Sequence, residues 1–186
     1  DEQTGSLHNT VIGAEAGQDH TAGYSVMIGS QAGKNATTAG RLIAIGRSAG
    51  GGAIMTGNDN VLIGKDTGFD ATSMLQNTLV GSNAGPNITS GVNNNIFGYN
   101  SLNIATTPDG TCSVGTQTLM NLSTGNANDA FGQNALYAVT TGYDNAGFGA
   151  ATMTAINTGY RNTAVGHESG QVMTTGSKLQ YLMNLL

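Results

Sequence analysis

Thr158-Gly159-Tyr160-Arg161-Asn162-Thr163-Ala164-Val165-Gly166-His167-Glu168-Ser169-Gly170 is one copy of a pattern that runs through almost the whole chain. Its anchor is the glycine that follows an apolar residue. That pair recurs at Gly13, Gly29, Gly46, Gly64, Gly81, Gly98, Gly115, Gly132, Gly149 and Gly166. The successive spacings are 16, 17 and 18 residues, then six of 17. Counting from this glycine as position zero, the residue before it is always Ile, Val or Phe, and the residue three places later is always Ala, Ser or Thr. Asparagine stands four places before it at Asn9, Asn60, Asn77, Asn94, Asn128, Asn145 and Asn162. A second glycine stands seven places before it at Gly57, Gly91, Gly125, Gly142 and Gly159. Seven places after it the residue is apolar in nine units, with His20 the exception.

Each position has a physical reading. The segment between the asparagine and the zero glycine is rich in β-branched and aromatic residues and predicts a short strand. The glycines suit tight corners or close backbone approach. Asparagines stacked in successive coils can hydrogen-bond as a ladder. A single 17-residue coil cannot bury its own apolar face, so stacking must supply the core. The expected fold is all-β: a repetitive β-solenoid or β-roll, with ten units making a rod on the order of 45–50 Å long at ~4.8 Å per coil.

The composition agrees with a narrow rod. Only 9% of the 186 residues are charged, against roughly 25% in an ordinary domain. Glycine contributes 29 residues, tryptophan none and phenylalanine four. The formal net charge is −5, and the six basic residues are spread singly between Lys34 and Lys178, which gives no nucleic-acid footprint. No apolar run reaches the length of a membrane span. The lone Cys112 makes no intrachain disulfide. The chain opens at Asp1 without a signal peptide and reads as a segment of something longer.

The repeat changes along its length. Position four is glycine from Gly17 to Gly85, then Leu102, Leu119, Leu136 and Met153, then Gly170. These bulkier units predict a thicker cross-section, with a helical turn per coil, over about residues 99–157. The repeat shaft is expected over residues 1–176. Residues 177–186 are expected to form a short helical or capping tail, because Met183 stands where the next glycine is due and apolar residues follow a three-residue spacing.

Units such as Asn9-Thr10-Val11-Ile12-Gly13 and Asn162-Thr163-Ala164-Val165-Gly166 resemble the N-T-A-V-G-type repeats of phage tail fibres. They are also similar to the S-V-A-I-G head repeats of trimeric autotransporter adhesins. The adhesin repeats are shorter, which favours the phage side. The resemblance implies an intertwined homotrimer, a place in the virion or otherwise at a cell surface, and attachment to a host glycan or protein receptor. Many phage fibres of this sort carry a self-cleaving C-terminal chaperone that is removed after trimerisation, and on that resemblance this chain would be a mature product or an excised segment.

Other motifs carry less. Gly29-Ser30-Gln31-Ala32-Gly33-Lys34 looks like a phosphate loop but is one residue short, and Asn35 replaces the magnesium-binding hydroxyl. His8, His20 and His167 lack a second ligand at metal-site spacing and read as surface histidines on coil corners, so no metal or cofactor is expected. Cys112 reads as a strand residue without an activating histidine. Asn35, Asn87 and Asn121 match glycosylation acceptors by composition alone. Tyr24, Tyr99, Tyr137, Tyr143 and Tyr160 are the candidate contact residues, since aromatic faces stack on sugars and on protein partners. The alternatives to a fibre are an ice-binding solenoid, suggested by Thr107, Thr124, Thr141, Thr158 and Thr175, and a polysaccharide-degrading spike, for which the acidic residues show no clustering. No enzyme activity is expected.

Overall fold

The computed structural model describes residues 8–182. Its strands form a single parallel sheet: β1 (Thr10–Ile12), β2 (Val26–Ile28), β3 (Ile43–Ile45), β4 (Val61–Ile63), β5 (Thr78–Val80), β6 (Asn95–Phe97), β7 (Cys112–Val114), β8 (Asp129–Phe131), β9 (Ala146–Phe148), β10 (Thr163–Val165) and β11 (Gln180–Leu182). Each strand pairs only with its neighbours in sequence, so one strand per coil stacks into a solenoid. The pairing offsets repeat the glycine spacings: Thr10 faces Val26, Val26 faces Ile43, Ile43 faces Val61, and Val61 faces Thr78. The shortened and lengthened units are therefore absorbed in the loops, and the strands stay in register.

Three residues of strand cannot hold a coil, and hydrogen bonds between coils continue around the corner. The amide of Gly29 donates to Ile12, Gln31 to Ala14, and Gly33 to Ala49 (2.7–2.8 Å). The amide at position two thus bonds to the preceding coil and the amide at position four to the following one. This alternation requires left-handed backbone at both positions. Position two is left-handed in every unit, from Glu15 (φ 57°) to Glu168 (φ 58°), and so is the residue five before the glycine, from His8 to Lys178. The zero glycine sits at φ 115° to 151° in the ten units, and a methyl group there would strike the backbone of the next coil.

Position four explains the change of character along the chain, and it corrects the expected helical turn per coil. Leu102, Leu119, Leu136 and Met153 are left-handed (φ 44° to 54°) and fully buried, at about 1–2 kcal/mol each for a non-glycine residue. Where this position is glycine, the inward strand residue is usually large: Met27, Leu62 and Leu79 are buried in those coils. Where position four is Leu119, Leu136 or Met153, the inward strand residue shrinks to Ser113, Ala130 and Gly147, whereas Leu102 shares its coil with the equally buried Ile96. The two columns compete for one space: a Cβ on Gly68 would stand 3.0 Å from Leu62 Cδ2, and one on Gly147 would stand 3.3 Å from Leu136 Cγ. In those three coils side-chain volume moves from the strand to the corner, and no helical turn appears among the described residues.

A double-mutant cycle tests this exchange. Leu136→Gly alone should cost about 2–5 kcal/mol through the cavity it leaves. Ala130→Leu alone should cost about 1–3 kcal/mol through overpacking. Combined, the two recreate the Leu62/Gly68 arrangement and should cost less than about 1.5 kcal/mol by urea denaturation.

The asparagines form the second internal rail. Asn77 Oδ1 accepts from the backbone N–H of Asn94 and from its Nδ2 (both 2.9 Å). Asn77 Nδ2 donates back to Asn60 Oδ1 (3.1 Å) and across to the Gly91 carbonyl (2.8 Å). Asn128, Asn145 and Asn162 repeat the pattern. The rail breaks at Thr111, whose buried Oγ1 has no partner. Ser113 and Thr118 of the same coil and Ser101 of the preceding one bond one another inside the core through hydroxyl contacts of 2.6–2.7 Å.

Of the two expectations for the tail, helix or cap, the helix is corrected over the described residues. Gln180–Leu182 pair with β10 in the register Thr163 to Gln180, so the eleventh unit continues the sheet. Asn162 Oδ1 supports it by accepting from the Leu179 amide (3.1 Å). The in-phase asparagine outweighs the three-residue apolar spacing. Met183 and the rest of the predicted tail lie outside the described residues.

Candidate functional site

Three surfaces of the rod present distinct chemistry. The first is the outward face of the strands. In each strand the middle residue points inward and is buried in β2 to β10, while the flanking two point out. The outward residue before the zero glycine is apolar in all ten units; Ile12 (58% exposed), Phe97 (40%), Phe148 (40%) and Val165 (37%) are open to solvent and the other six are half-buried. Phe131 and Phe148 stack with ring centres 5.0 Å apart. The companion column holds Thr10, Val26, Ile43, Val61, Thr78, Asn95, Cys112, Asp129, Ala146 and Thr163.

Asp129 is the only charged side chain in these two columns over residues 10–165. Burial against neighbouring strands pushes its carboxyl up from the usual range, partly offset by the Cys112 backbone N–H. Burial, then the nearby Asp129 charge, pushes the Cys112 thiol up as well. A carboxyl raised in the folded state contributes stability that is complete below the ordinary carboxylate range and is lost as pH rises through the raised value. Asp129→Asn should therefore raise the thermal midpoint at neutral pH and leave it unchanged in acid, as followed by circular dichroism.

The second surface lies around the glycine corner. A shallow cleft of about 370 Å³ is lined by Gln31, Arg47, Asp66, Phe69, Pro86 and Asn87, among others. Arg47 reaches Asp66 across one coil (3.3 Å), and Lys65 pairs with the same carboxylate. Lys34 meets Glu15 (2.8 Å), so the lysine of the phosphate-loop-like segment is engaged. The hydrogen bonds that Lys34 Nζ and Gln31 Nε2 each donate to Glu15 Oε2 (2.8 Å) draw the Glu15 carboxyl below its ordinary value, with the Lys34 charge behind them. Arg41–Asp59 and Arg161–Asp144 likewise join adjacent coils. All five pairs are solvent-accessible and contribute little each.

The third surface is a row of hydroxyls eight residues before the zero glycine. Ser73 and Ser90 continue it between Thr56 and Thr107, and Thr21 and Thr38 extend it to the first coils, so the row is more regular than a count of threonines suggests. Two of its hydroxyls are committed to backbone: Thr21 Oγ1 to Thr37 O (2.9 Å) and Thr56 Oγ1 to Thr72 O (3.2 Å).

The candidate tyrosines do not converge. Tyr143 and Tyr160 stack at 5.0 Å, and Tyr24 stacks on His8 at 5.1 Å. Tyr99 is half exposed on a different corner, and Tyr137 is largely packed against its neighbours. His20 corrects the reading of the histidines as surface groups. It is buried in the inward column seven places after the zero glycine, with Nδ1 2.6 Å from the Ala36 carbonyl and Nε2 without a partner, while His8 and His167 are exposed. The amides of Asn35 and Asn87 are tied to Gly51 O (2.9 Å) and Asn103 O (2.6 Å), which leaves neither side chain free for glycosylation in the folded state. Among the described residues no three His, Cys, Asp or Glu groups converge to hold a metal ion, and no helix is long and apolar enough to cross a membrane.

The sequence marked the apolar column only as strand content. Its constant apolar character at a position flanking the inward residue was the signal that it faces outward. No family model matches the chain, and neither a curated protein nor a solved structure is detectably similar to it.

Proposed function

We propose that this chain is a shaft segment of a homotrimeric fibre that attaches to a host cell surface, in the manner of a phage tail fibre, with a bacterial surface adhesin as the near alternative. The observation that carries the reading is the stack of coils: hydrogen bonds between coils run through the strand and the corner in almost every unit, joined by the asparagine rail from Asn60 to Asn94 and from Asn128 to Asn162. Such a rod resists local opening, since any one coil can unfold only by leaving both neighbours. The work is mechanical: the rod holds distance and presents its loops. The repeat resemblance to phage fibres supports the trimer, the virion location and the absence of catalysis.

Light scattering tests the assembly. A mass of three times 18.8 kDa that survives heating supports the fibre; a monomer at all concentrations sinks it. Attachment is tested by binding of the labelled trimer to intact bacterial cells and to arrays of their surface glycans. Absence of binding by a stable trimer would restrict the segment to a spacer role.

The hydroxyl row favours one second reading, an ice-binding solenoid. A single row gives a narrow contact line, whereas the apolar strand face is the broader surface. Absence of thermal hysteresis at high protein concentration removes this alternative.

A further inference from the structure

We infer that the outward strand face is where copies of this chain meet, parallel and in register, with the apolar column turned toward a common axis. This rests on the homo-oligomeric reading above and adds to it the face, the direction and the register. The column holds Ile12, Ile28, Ile45, Ile63, Val80 and Phe97 in its first six units and remains apolar through Val165. No other exposed repeat position is apolar in every unit. A row of apolar side chains that faced water throughout would have no reason to exclude polar residues ten times over.

Periodicity selects the occupant. The side chains along this face recur once per coil, at ~4.8 Å. A partner that fills the gaps between them along the whole rod must carry the same rise. A second copy of this chain does so by construction of its own repeat. The face is about 10 Å wide, three strand residues, and about 48 Å long, so two copies together cover on the order of 1,000 Å². That reaches the lower bound for a stable interface, and a third copy adds a second contact to each chain. Charge agrees: apart from Asp129, no side chain on the face between residues 10 and 165 must lose an ionic hydration shell.

Parallel and registered copies bring each residue near its own counterpart. The test uses that property. Single cysteines are placed at three points of the companion column: the native Cys112, and Thr78→Cys or Thr163→Cys in a Cys112→Ser background. Each protein is treated with a short bismaleimide at mildly alkaline pH. All three should yield a covalent dimer on denaturing gels, and a threefold assembly leaves one chain in three unlinked. A parallel Phe97→Glu/Phe148→Glu variant should keep its circular dichroism spectrum and fall to the mass of a single chain.

Three results overturn the inference or its basis separately. An oligomer whose mass is untouched by Phe97→Glu/Phe148→Glu meets through another face. An oligomer dissociated by those substitutions, but with none of the three cysteines cross-linking, is packed through this face in another direction or register. A wild-type chain that is monomeric throughout removes the homo-oligomeric reading itself.

Discussion

Gly132→Ala should destabilise the rod by about 4 kcal/mol or more, well beyond the usual effect of one added methyl group. Gly132 lies at φ 124°, where L side chains are strained. The new Cβ would also stand 2.5 Å from Gly149 C, 2.6 Å from Gly149 O and 2.7 Å from Ala150 N. These are backbone atoms with no flexible end to swing aside. Relief requires the coils to separate, at the expense of the bonds from the Gly132 amide to Val114 O (2.8 Å) and from the Gly149 amide to Phe131 O (2.7 Å). Gly110→Ala is the control: Gly110 has φ 60°, nothing lies within 4 Å of its added Cβ, and the same repeat position already holds Ala127 at φ 53°. It should cost no more than about 1–2 kcal/mol. Chemical denaturation of both variants decides the matter. Equal losses would mean that backbone conformation alone, and not contact between coils, makes glycine necessary.

The asparagine rail carries the second large effect. Asn145 is 1% exposed, and its side chain bonds in both directions along the rod. Oδ1 accepts from the Asn162 N–H (3.1 Å) and Nδ2 (3.0 Å), and Nδ2 donates to Asn128 Oδ1 (3.0 Å) and Gly159 O (2.8 Å). Asn145→Ala leaves the Asn162 N–H and the Gly159 carbonyl without these partners inside the coil. At about 1–3 kcal/mol for each stranded group, the loss should be about 2–6 kcal/mol. Asn145→Asp keeps the acceptor for Asn162 but turns a carboxylate oxygen toward two other oxygens. It should be worse than alanine at neutral pH and recover in acid, where the protonated carboxyl donates again. A thermal melt series from neutral to acid pH reads both. An Asp variant no worse than the Ala variant at neutral pH would show that water enters the rail.

The spacing of the zero glycines was sufficient to give the register of the sheet, including the short and long units. It worked because that glycine is held by contact between coils, so its period and the coil period are one quantity. The asparagine rail was legible for the same reason. The left-handed columns were harder. Position two runs from Glu15 through Asn83 and Asn134 to Glu168 with no β-branched residue, but exclusion leaves a fainter mark than a fixed residue. Position four misled over the helical turn, because leucine favours helix, whereas here it occupies a glycine-like backbone and Leu119, Leu136 and Met153 fill space vacated by Ser113, Ala130 and Gly147. That exchange joins residues on opposite sides of a corner and cannot be seen from one position at a time. The tyrosines were chosen for their chemistry alone: Tyr143 and Tyr160 share a repeat position and stack, whereas Tyr24, Tyr99 and Tyr137 each stand at a different one and are scattered by the coil.

The in-step pairing of β1 to β11 also makes length a matter of counting. Every unit hands the next the same edge it received, so a unit can be removed or duplicated without altering either junction. Deleting residues 133–149 would join Gly132 to Ala150 with the pattern in phase and shorten the rod by one rung. A gene that gains or loses such a segment thereby changes reach in fixed increments, and the separation of any two points along the molecule is written in copy number.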